Sequence, residues 1–423
     1  RHPSEADVWH LGAQWITSIP PNWRPAVSIA LPFPRTATPR DAVRRILGGN
    51  VLSLVGDGML LPFAALYFIR AFGFSPAGAA LVFAAMTGGS VVLTAPGGVV
   101  LDRLGTARAS AAATLLQAAA CVGLAFASSL TAAVAMALVF AAGRAVSRPG
   151  VDAIVAQLTE GQERTNAFAA LNVATNVGLG AGAALGGALA TLGTGGLRWL
   201  FIADAASYFL FAVVLRGAPE VVRERGVAHG GYAAVLRDRA FLRILAITFV
   251  AFVGLTQIDV SFPLYTVSTV GLPIGIVGIA GLANTVVVVA LQGQVMRRTA
   301  AIARHRLIAV GAAGLALCWG LSAAASFLPG TILPAAALVA ALATMGIAET
   351  ALIPVLFATA NELAPDALRG RYNALLWAAI GAAFAAGPLA GGALVGAGLS
   401  WAWLLGLAGF AASVAALGRR VEG

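Results

Sequence analysis

Four ionisable side chains lie inside long apolar segments: Asp57, Arg144, Asp259 and Glu349. An ionisable group at bilayer depth costs roughly 2.5–3.5 kcal/mol on insertion scales, so it is a functional candidate by default. A carboxyl group there can switch its charge, because burial favours its protonated form and a nearby guanidinium favours its ionised form. We predict that these four residues couple to protons, with Asp57 alternating between a proton and Arg144. The alternative is a static ion pair that fixes helix packing.

Three other charged residues of these segments have simpler explanations. Asp204 follows Arg198 and Trp199 closely, which suggests a position near the outer interface. Arg148 and Asp152 suggest an ion pair at the inner surface. We therefore expect none of the three to be central to function.

The composition is that of a polytopic membrane protein. Hydrophobic residues make up 59% of the 423 residues, charged residues 10%, and the mean hydropathy is +0.88, whereas a soluble domain carries about 25% charged residues. Apolar runs of about 20 residues can each cross a bilayer as a helix. They predict about twelve helices, near 47–70, 77–100, 106–128, 130–151, 165–192, 197–216, 241–269, 274–296, 304–327, 331–360, 371–396 and 399–418.

The net charge of +10 is explained by topology rather than by nucleic acid binding. Arginines concentrate in alternate loops, which is the positive-inside pattern. The loops concerned contain Arg103 and Arg108, Arg164, Arg216 to Arg243, Arg297 to Arg306, Arg369 and Arg371, and Arg419 and Arg420. We predict a multi-pass protein of a bacterial cytoplasmic membrane, with both termini in the cytoplasm, contacts to membrane lipids and no nucleic acid partner.

Motifs recur in the same order in two halves of the chain. Four pairs match: Asp57–Pro62 with Asp259–Pro263, Phe74–Pro76 with Gly271–Pro273, Gly98–Arg103 with Gly293–Arg298, and Arg164–Ala167 with Arg371–Ala374. Repeats related by an axis along the membrane normal place a substrate site at the midplane between them. We predict a disordered cytoplasmic tail at 1–46, six-helix halves at 47–216 and 241–418, a cytoplasmic linker at 217–240 and a tail at 419–423.

No pattern of catalysis or metal binding is present in the sequence. Cys121 and Cys318 each lie in an apolar run; three of the four histidines lie outside the predicted helices, and the fourth, His305, lies at the very start of one. There is no phosphate-binding loop, zinc-ligand spacing or nucleophile triad. We predict neither enzymatic activity nor a metal or cofactor, and expect a proton gradient to supply the energy.

The stretch from Gly98 to Arg108 resembles the loop between the second and third helices of the major facilitator superfamily. It contains Gly98, Asp102, Arg103, Gly105 and Arg108, although Thr106 and Ala107 separate the second glycine from the next arginine. Asp57 before Pro62, and Arg144, resemble charged residues of its bacterial drug exporters. The resemblance implies an all-α fold of two pseudo-symmetric six-helix halves, usually monomeric. It also implies a gate in which Asp102 locks against the start of the eleventh helix.

A second motif resembles the glycine-proline motif of the family's antiporters. It comprises Gly387, Pro388, Gly391 and Gly392 in the eleventh helix, and the fifth helix has Ala183 in place of the proline. The resemblance implies a helix kink that seals against leak; ordinary close packing is the alternative.

Polar residues within the helices are candidates to line a substrate cavity, or to hold helices together. They are Asn172, Asn176, Gln257, Tyr265, Asn284, Asn373 and Trp377. The sequence favours proton-coupled efflux of a small amphipathic compound by alternating access. Two alternatives remain: proton-coupled uptake of a small nutrient or siderophore, and a non-transporting membrane protein with the same body.

Overall fold

The structure is a computed structural model that describes residues 38–220, 235–299, 302–365 and 368–418. Within these ranges the chain forms helices and no β-strand, as the sequence predicts. Most of the predicted tail 1–46 and linker 217–240, and all of the tail 419–423, lie outside the described residues. The boundaries of the predicted domains therefore stay predictions.

Each predicted span corresponds to a helix of the described chain. The helices are α1 (Pro39–Phe72), α2 (Pro76–Val92 continued by Thr94–Leu104), α3 (Thr106–Ala125), α4 (Leu130–Leu158), α5 (Gly161–Ala190), α6 (Gly193–Arg216), α7 (Arg239–Leu255 and a distorted continuation), α8 (Gly275–Thr299), α9 (Arg304–Ala325), α10 (Ile332–Leu363), α11 (Arg369–Gly396) and α12 (Ser400–Gly418). In the described ranges, ten helices are long and apolar enough to cross a membrane.

The first helix starts earlier than predicted. Thr38 caps it, accepting from the backbone N–H of Asp41 while the Asp41 carboxylate accepts from Thr38, and Pro39 occupies the first turn. This capping box satisfies backbone donors that have no partner within the helix. Residues 39–46, which the sequence assigns to the tail, are thus the first turns of α1. The helix ends at Gly73, whose positive φ of 69° is a left-handed conformation that glycine adopts freely.

Two helices are interrupted. The break in α2 falls at Leu93, three residues before Pro96. In α7, a 3₁₀ turn at Thr256–Ile258 precedes a short helix, Ser261–Leu264, which contains Pro263 and leads into a π segment, Tyr265–Thr269. Proline lacks the N–H that would bond the carbonyl four residues earlier, which weakens the helix just before Pro96 and just before Pro263.

Matching hydrogen bonds stabilise the two halves. In the first half, the Tyr67 hydroxyl of α1 donates to the carbonyl of Ala125 at the end of α3. In the second, the Tyr265 hydroxyl of α7 donates to the carbonyl of Ala323 near the end of α9, and both bonds span 58 residues. The same tie thus joins the first and third helices of each half.

The halves meet through α2 against α11 and α5 against α8. At the end of the bundle where α1 turns into α2 and α7 into α8, called the turn end below, these contacts involve very small residues. A β-carbon at Gly187 would lie 3.0 Å from the Cα of Gly278, and one at Gly392 would clash with the Ala80 side chain. The two contacts occupy corresponding places in the two interfaces.

Candidate functional site

Asp57 accepts two strong hydrogen bonds on one oxygen. The Arg144 Nη1 from α4 lies 3.1 Å from the Asp57 Oδ1, and the Tyr208 hydroxyl from α6 donates to the same oxygen at 2.6 Å. The side chain of Asp57 is 5% exposed and that of Arg144 is 19% exposed. The structure thus brings together the two residues that the sequence proposes as a switchable pair.

Two glycines flank Asp57 and let other helices approach it. A β-carbon at Gly58 would clash with the backbone of Leu179 in α5, and one at Gly56 would clash with the carboxyl of Asp204 in α6. The Gly-Asp-Gly sequence therefore allows α5 and α6 to pack directly on the backbone of α1 around the carboxylate. Larger residues at either glycine would separate the helices that enclose the site.

Aromatic rings surround the pair. The Arg144 guanidinium lies 6.0 Å from the centre of the Phe140 ring, one turn earlier in α4. The Phe140 and Tyr208 rings meet edge to face with centroids 5.8 Å apart. Such an apolar surround limits water near the ion pair and strengthens its electrostatic interaction.

The prediction of an interface position for Asp204 is wrong. The residue is fully buried, and its carboxyl contacts Ser207 of its own helix and Cys121 of α3. The predicted position followed from its nearness in sequence to Arg198, but Asp204 is nearly two turns further along α6 and faces inward. Arg148 and Asp152 are both exposed, and their predicted pairing at the inner surface stays a prediction.

The second half contributes two carboxylates. Glu349 of α10 accepts from the Asn284 amide of α8 at 3.3 Å, and Asn284 also donates to the carbonyl of Leu342. Asp259 is partly buried at the break in α7 and is close enough to Arg144, Glu349 and Asp57 to interact electrostatically with them. Asp259 thus lies within electrostatic range of the other three residues predicted to couple to protons.

Asp259 is not the structural counterpart of Asp57. The paired hydrogen bonds of Tyr67 and Tyr265 align α1 with α7, and Asp57 precedes its tyrosine by more than Asp259 does. In this alignment Asp259 lies about one helical turn nearer the turn end. The motif match between Asp57–Pro62 and Asp259–Pro263 is thus shifted by one turn in the fold.

Two predicted cavity residues are engaged with their own half. Gln257 is fully buried, donates to the carbonyl of Val253 at 2.6 Å, and accepts from Ser261 at 2.6 Å and from Trp403 at 3.3 Å. Tyr265 is 1% exposed and makes the paired bond described above. In this state both hold helices together.

The other cavity candidates lie on α5, α8 and α11. Asn172 is exposed, and its carbonyl accepts from the side chain of Asn176. Asn373 donates to Asn361 of α10 at 2.8 Å, and Trp377, 54% exposed, packs edge to face on Phe357. A role for any of them in substrate binding stays a prediction.

The predicted gate loop joins α2 to α3. Gly105 forms the turn with a φ of 86°, Arg103 is exposed, and Arg108 lies 3.9 Å from Glu220 beyond the end of α6. The backbone of Asp102 is helical, but its side chain is outside what the structure describes. The proposed contact of Asp102 with the start of α11 therefore stays a prediction, as does the role of Gly98.

The glycine-proline motif packs on both sides of α11. Gly387 and Gly391 face Gln257 of α7, whereas Gly392 faces Ala80 of α2. Pro388 lies inside the continuous helix α11. The motif thus lies against one helix of its own half and one of the other, and its role as a seal stays a prediction.

Outside this centre, an apolar groove of about 660 Å³ lies between α8 and α10. It is bordered by Leu272, Ile276, Ile279, Ile332, Val339 and Ala343. The groove contains none of the four predicted coupling residues. Among the described residues, no group of three or more His, Cys, Asp or Glu side chains could hold a metal ion.

Sequence reasoning missed Tyr208, the second donor to Asp57. The only signal was its position one turn after Asp204, on the same face of α6. Removing the hydroxyl in Tyr208→Phe is expected to destabilise the folded protein by about 1.5–3 kcal/mol, because the bond is made to a charged group. Thermal unfolding in detergent measures this loss.

Tyr265→Phe is the matched control for that variant. It removes a longer bond, 3.4 Å, to a neutral carbonyl, and should cost no more than about 0.5–1.5 kcal/mol. Equal losses of melting temperature in the two variants would show that the bond from Tyr208 to Asp57 has no special strength.

The fold and its buried charges define a multi-pass membrane transporter, and the comparisons with known proteins agree. Residues 46–336 match the family model of the Major Facilitator Superfamily. The MFS-type transporters YhjO and YttB of Bacillus subtilis (strain 168) are 26% and 23% identical over 84% of this chain, covering 86% and 88% of their own lengths.

Solved transporters share the fold at low sequence identity. A variant of the nucleoside transporter NupG superposes with a TM-score of 0.75 at 13% identity, over 90% of this chain and all of the other. A variant of the peptide transporter POT superposes with a TM-score of 0.74 at 15% identity, over 93% and 96%. The chain belongs to the Major Facilitator Superfamily: it is a transporter of small molecules and not an enzyme.

Proposed function

We propose that this transporter couples export of a small organic compound to proton entry. The observation that carries the proposal is the buried carboxylate of Asp57, whose Oδ1 accepts from both Arg144 and Tyr208. A proton on this carboxylate competes directly with the guanidinium, since a neutral carboxyl no longer forms an ion pair. The ionised and protonated forms of Asp57 thus provide two states with different ties between α1 and α4.

Alternating access would follow from rocking of the halves about their contacts. Within the first half, the Asp57–Arg144 pair links α1 to α4, while α2–α11 and α5–α8 are the surfaces along which the halves meet. Release of Arg144 on protonation changes the inner surface of one half without breaking its apolar core. The small residues at the turn end permit close contact there in this state.

The charge of the centre favours a cationic or neutral amphipathic substrate. Asp259 and Glu349 face the central region from the second half. The described arginines of α7–α12 all lie within about two turns of a helix end. In the first half, Arg144 is engaged with Asp57. In the second half, Asp259 and Glu349 have no arginine at their depth, so that half presents net negative charge to a substrate. A cation can interact with it without displacing an existing partner.

The placement in the cell is part of the same proposal. The arginine-rich loops lie at the opposite end from the turn end, and by the positive-inside pattern this supports a cytoplasmic position for both termini in a bacterium. A proton gradient across that membrane would drive the cycle, with no cofactor. We infer that the protein works as a monomer among membrane lipids and has no nucleic acid partner.

The direction of transport is tested in liposomes with a trapped pH dye and an imposed proton gradient. A panel of lipophilic cations, antibiotics, nucleosides, short peptides and small nutrients is added one compound at a time. Export is supported if a compound dissipates the gradient while moving against the proton flow. Joint movement of compound and protons would instead establish the rival function, uptake by symport.

A further inference from the structure

A second carboxyl group, that of Asp204, lies behind Asp57 and has no role in the proposed switch. Asp204 is 0% exposed, and it lies against the α1 backbone at Gly56, next to Asp57 in sequence. An isolated ionised carboxylate in such a place is very unfavourable unless a cation pairs with it. The nearest guanidinium, that of Arg144, is bonded to Asp57.

The hydrogen-bond contacts around Asp204 suit a carboxyl group that carries a proton. The Ser207 hydroxyl lies 2.7 Å from the backbone carbonyl of Asp204 and 3.2 Å from the Asp204 Oδ1. A serine hydroxyl has one proton to donate and can accept as well. If that proton goes to the closer carbonyl, the contact with Oδ1 is a hydrogen bond only when Oδ1 carries a proton and donates it to Ser207.

The other carboxyl oxygen completes the pattern. The Cys121 thiol donates to the Asp204 Oδ2 over 3.6 Å, a normal length for sulfur. A protonated carboxyl with one donating and one accepting oxygen therefore satisfies every described contact. An ionised carboxylate would instead have one weak thiol donor and a share of a single hydroxyl proton.

We propose that Asp204 is a second proton-binding group of this transporter, and that it is protonated when Asp57 is paired with Arg144. The titratable and charged groups that face it are Asp57 from α1, Cys121 from α3, Arg144 from α4 and Tyr208 from α6. The Arg144 guanidinium is thus the counterion available to two carboxyl groups, those of Asp57 and Asp204. When Asp57 takes a proton, Arg144 becomes the counterion that would let Asp204 release its own proton to water. This step rests on the proposed proton coupling, but the protonation of Asp204 does not.

Infrared spectroscopy of the full chain in lipid nanodiscs tests the protonation at neutral pH without any substrate. The wild type is expected to show the carbonyl stretching band of a buried carboxylic acid, which shifts on deuteration. Asp204→Asn should remove that band, because the amide mimics the protonated acid but has no carboxyl. Asp259 and Glu349 can contribute carboxylic acid bands of their own, so the measurement is the difference between the wild-type and Asp204→Asn spectra. A difference spectrum that contains no carboxylic acid band would overturn the proposal.

Two further variants decide the case if Asp204→Asn does not fold. Ser207→Ala retains the acid but removes its acceptor, so the band should move to higher frequency, and an unshifted band would contradict the proposal. Asp57→Asn should weaken the band, because the uncharged amide releases Arg144 as protonation of Asp57 does, and Arg144 then favours the ionised form of Asp204. Proton-driven flux that persists in Asp57→Asn would refute the proposed coupling alone, so the two failures can be told apart.

Discussion

Asp57→Asn is expected to abolish proton-driven transport and also to lower the stability of the folded protein. Asparagine can still accept the bond from Tyr208, but it removes the ionised partner of the buried Arg144 guanidinium, which can regain one only if Asp204 gives up its proton. Removing one partner of a buried ion pair typically costs about 3–5 kcal/mol. Flux in proteoliposomes and thermal unfolding in detergent measure the two losses separately.

A charge-neutral double variant distinguishes a coupling residue from a structural ion pair. In Asp57→Asn with Arg144→Gln no unpaired charge remains, so most of the lost stability should return. The double variant still has no carboxyl group at position 57 to bind the coupling proton, so proton-driven flux should stay absent.

The alternative of a static ion pair makes the opposite prediction for the double variant. If Asp57 and Arg144 only fix helix packing, restored stability should bring back proton-driven flux as well. Recovery of flux together with the melting temperature would therefore refute the coupling role.

Much of the fold could be predicted because bilayer physics acts on single segments. A run of about 20 apolar residues identifies a helix whatever its neighbours are. The rarity of buried charge singled out Asp57 and Arg144, and the structure places them within 3.1 Å of each other. Both inferences depend on the free-energy cost of polar groups in lipid. That cost makes charged residues rare in the apolar runs, and their rarity can be read from the sequence.

The rotation of each helix could not be predicted in the same way. Hydropathy says that α6 crosses the membrane, but not that Asp204 and Tyr208 turn toward α1. Gln257 shows the converse: a polar residue at the right depth is bonded to Val253, Ser261 and Trp403 within its own half. These placements depend on close packing of several helices, which nearby residues in sequence do not reveal.

Glycines occupy the closest of these helix contacts. The second large expected effect comes from substituting two of them. Gly182→Val should abolish the folded protein, because its side chain would meet the α1 backbone at Val55 and lie 2.8 Å from the Cα of Gly58. Backbone atoms within one half cannot move aside, and overpacking lowers the stability of the folded protein by about 1–3 kcal/mol or more. The yield of monodisperse protein after detergent extraction is the measurement.

Gly187→Val, five residues further along α5, should have a different effect. Its β-carbon meets Gly278 across the interface between the halves at 3.0 Å, so the halves can separate at the turn end while each stays folded. An Ala183→Cys reporter, buried against Gly281 in this state, should then react several-fold faster with a membrane-impermeant thiol reagent. Gly195→Val, where a β-carbon meets nothing within 4 Å, is the control and should change neither yield nor labelling.

The contrast between the two glycines tests whether the halves move as separate bodies. Rocking requires that a wedge between the halves shifts a conformational equilibrium, whereas a wedge within one half destroys its core. If Gly187→Val is lost from the membrane as completely as Gly182→Val, the interface is part of one continuous core. Alternating access would then need a motion other than rocking of the two halves.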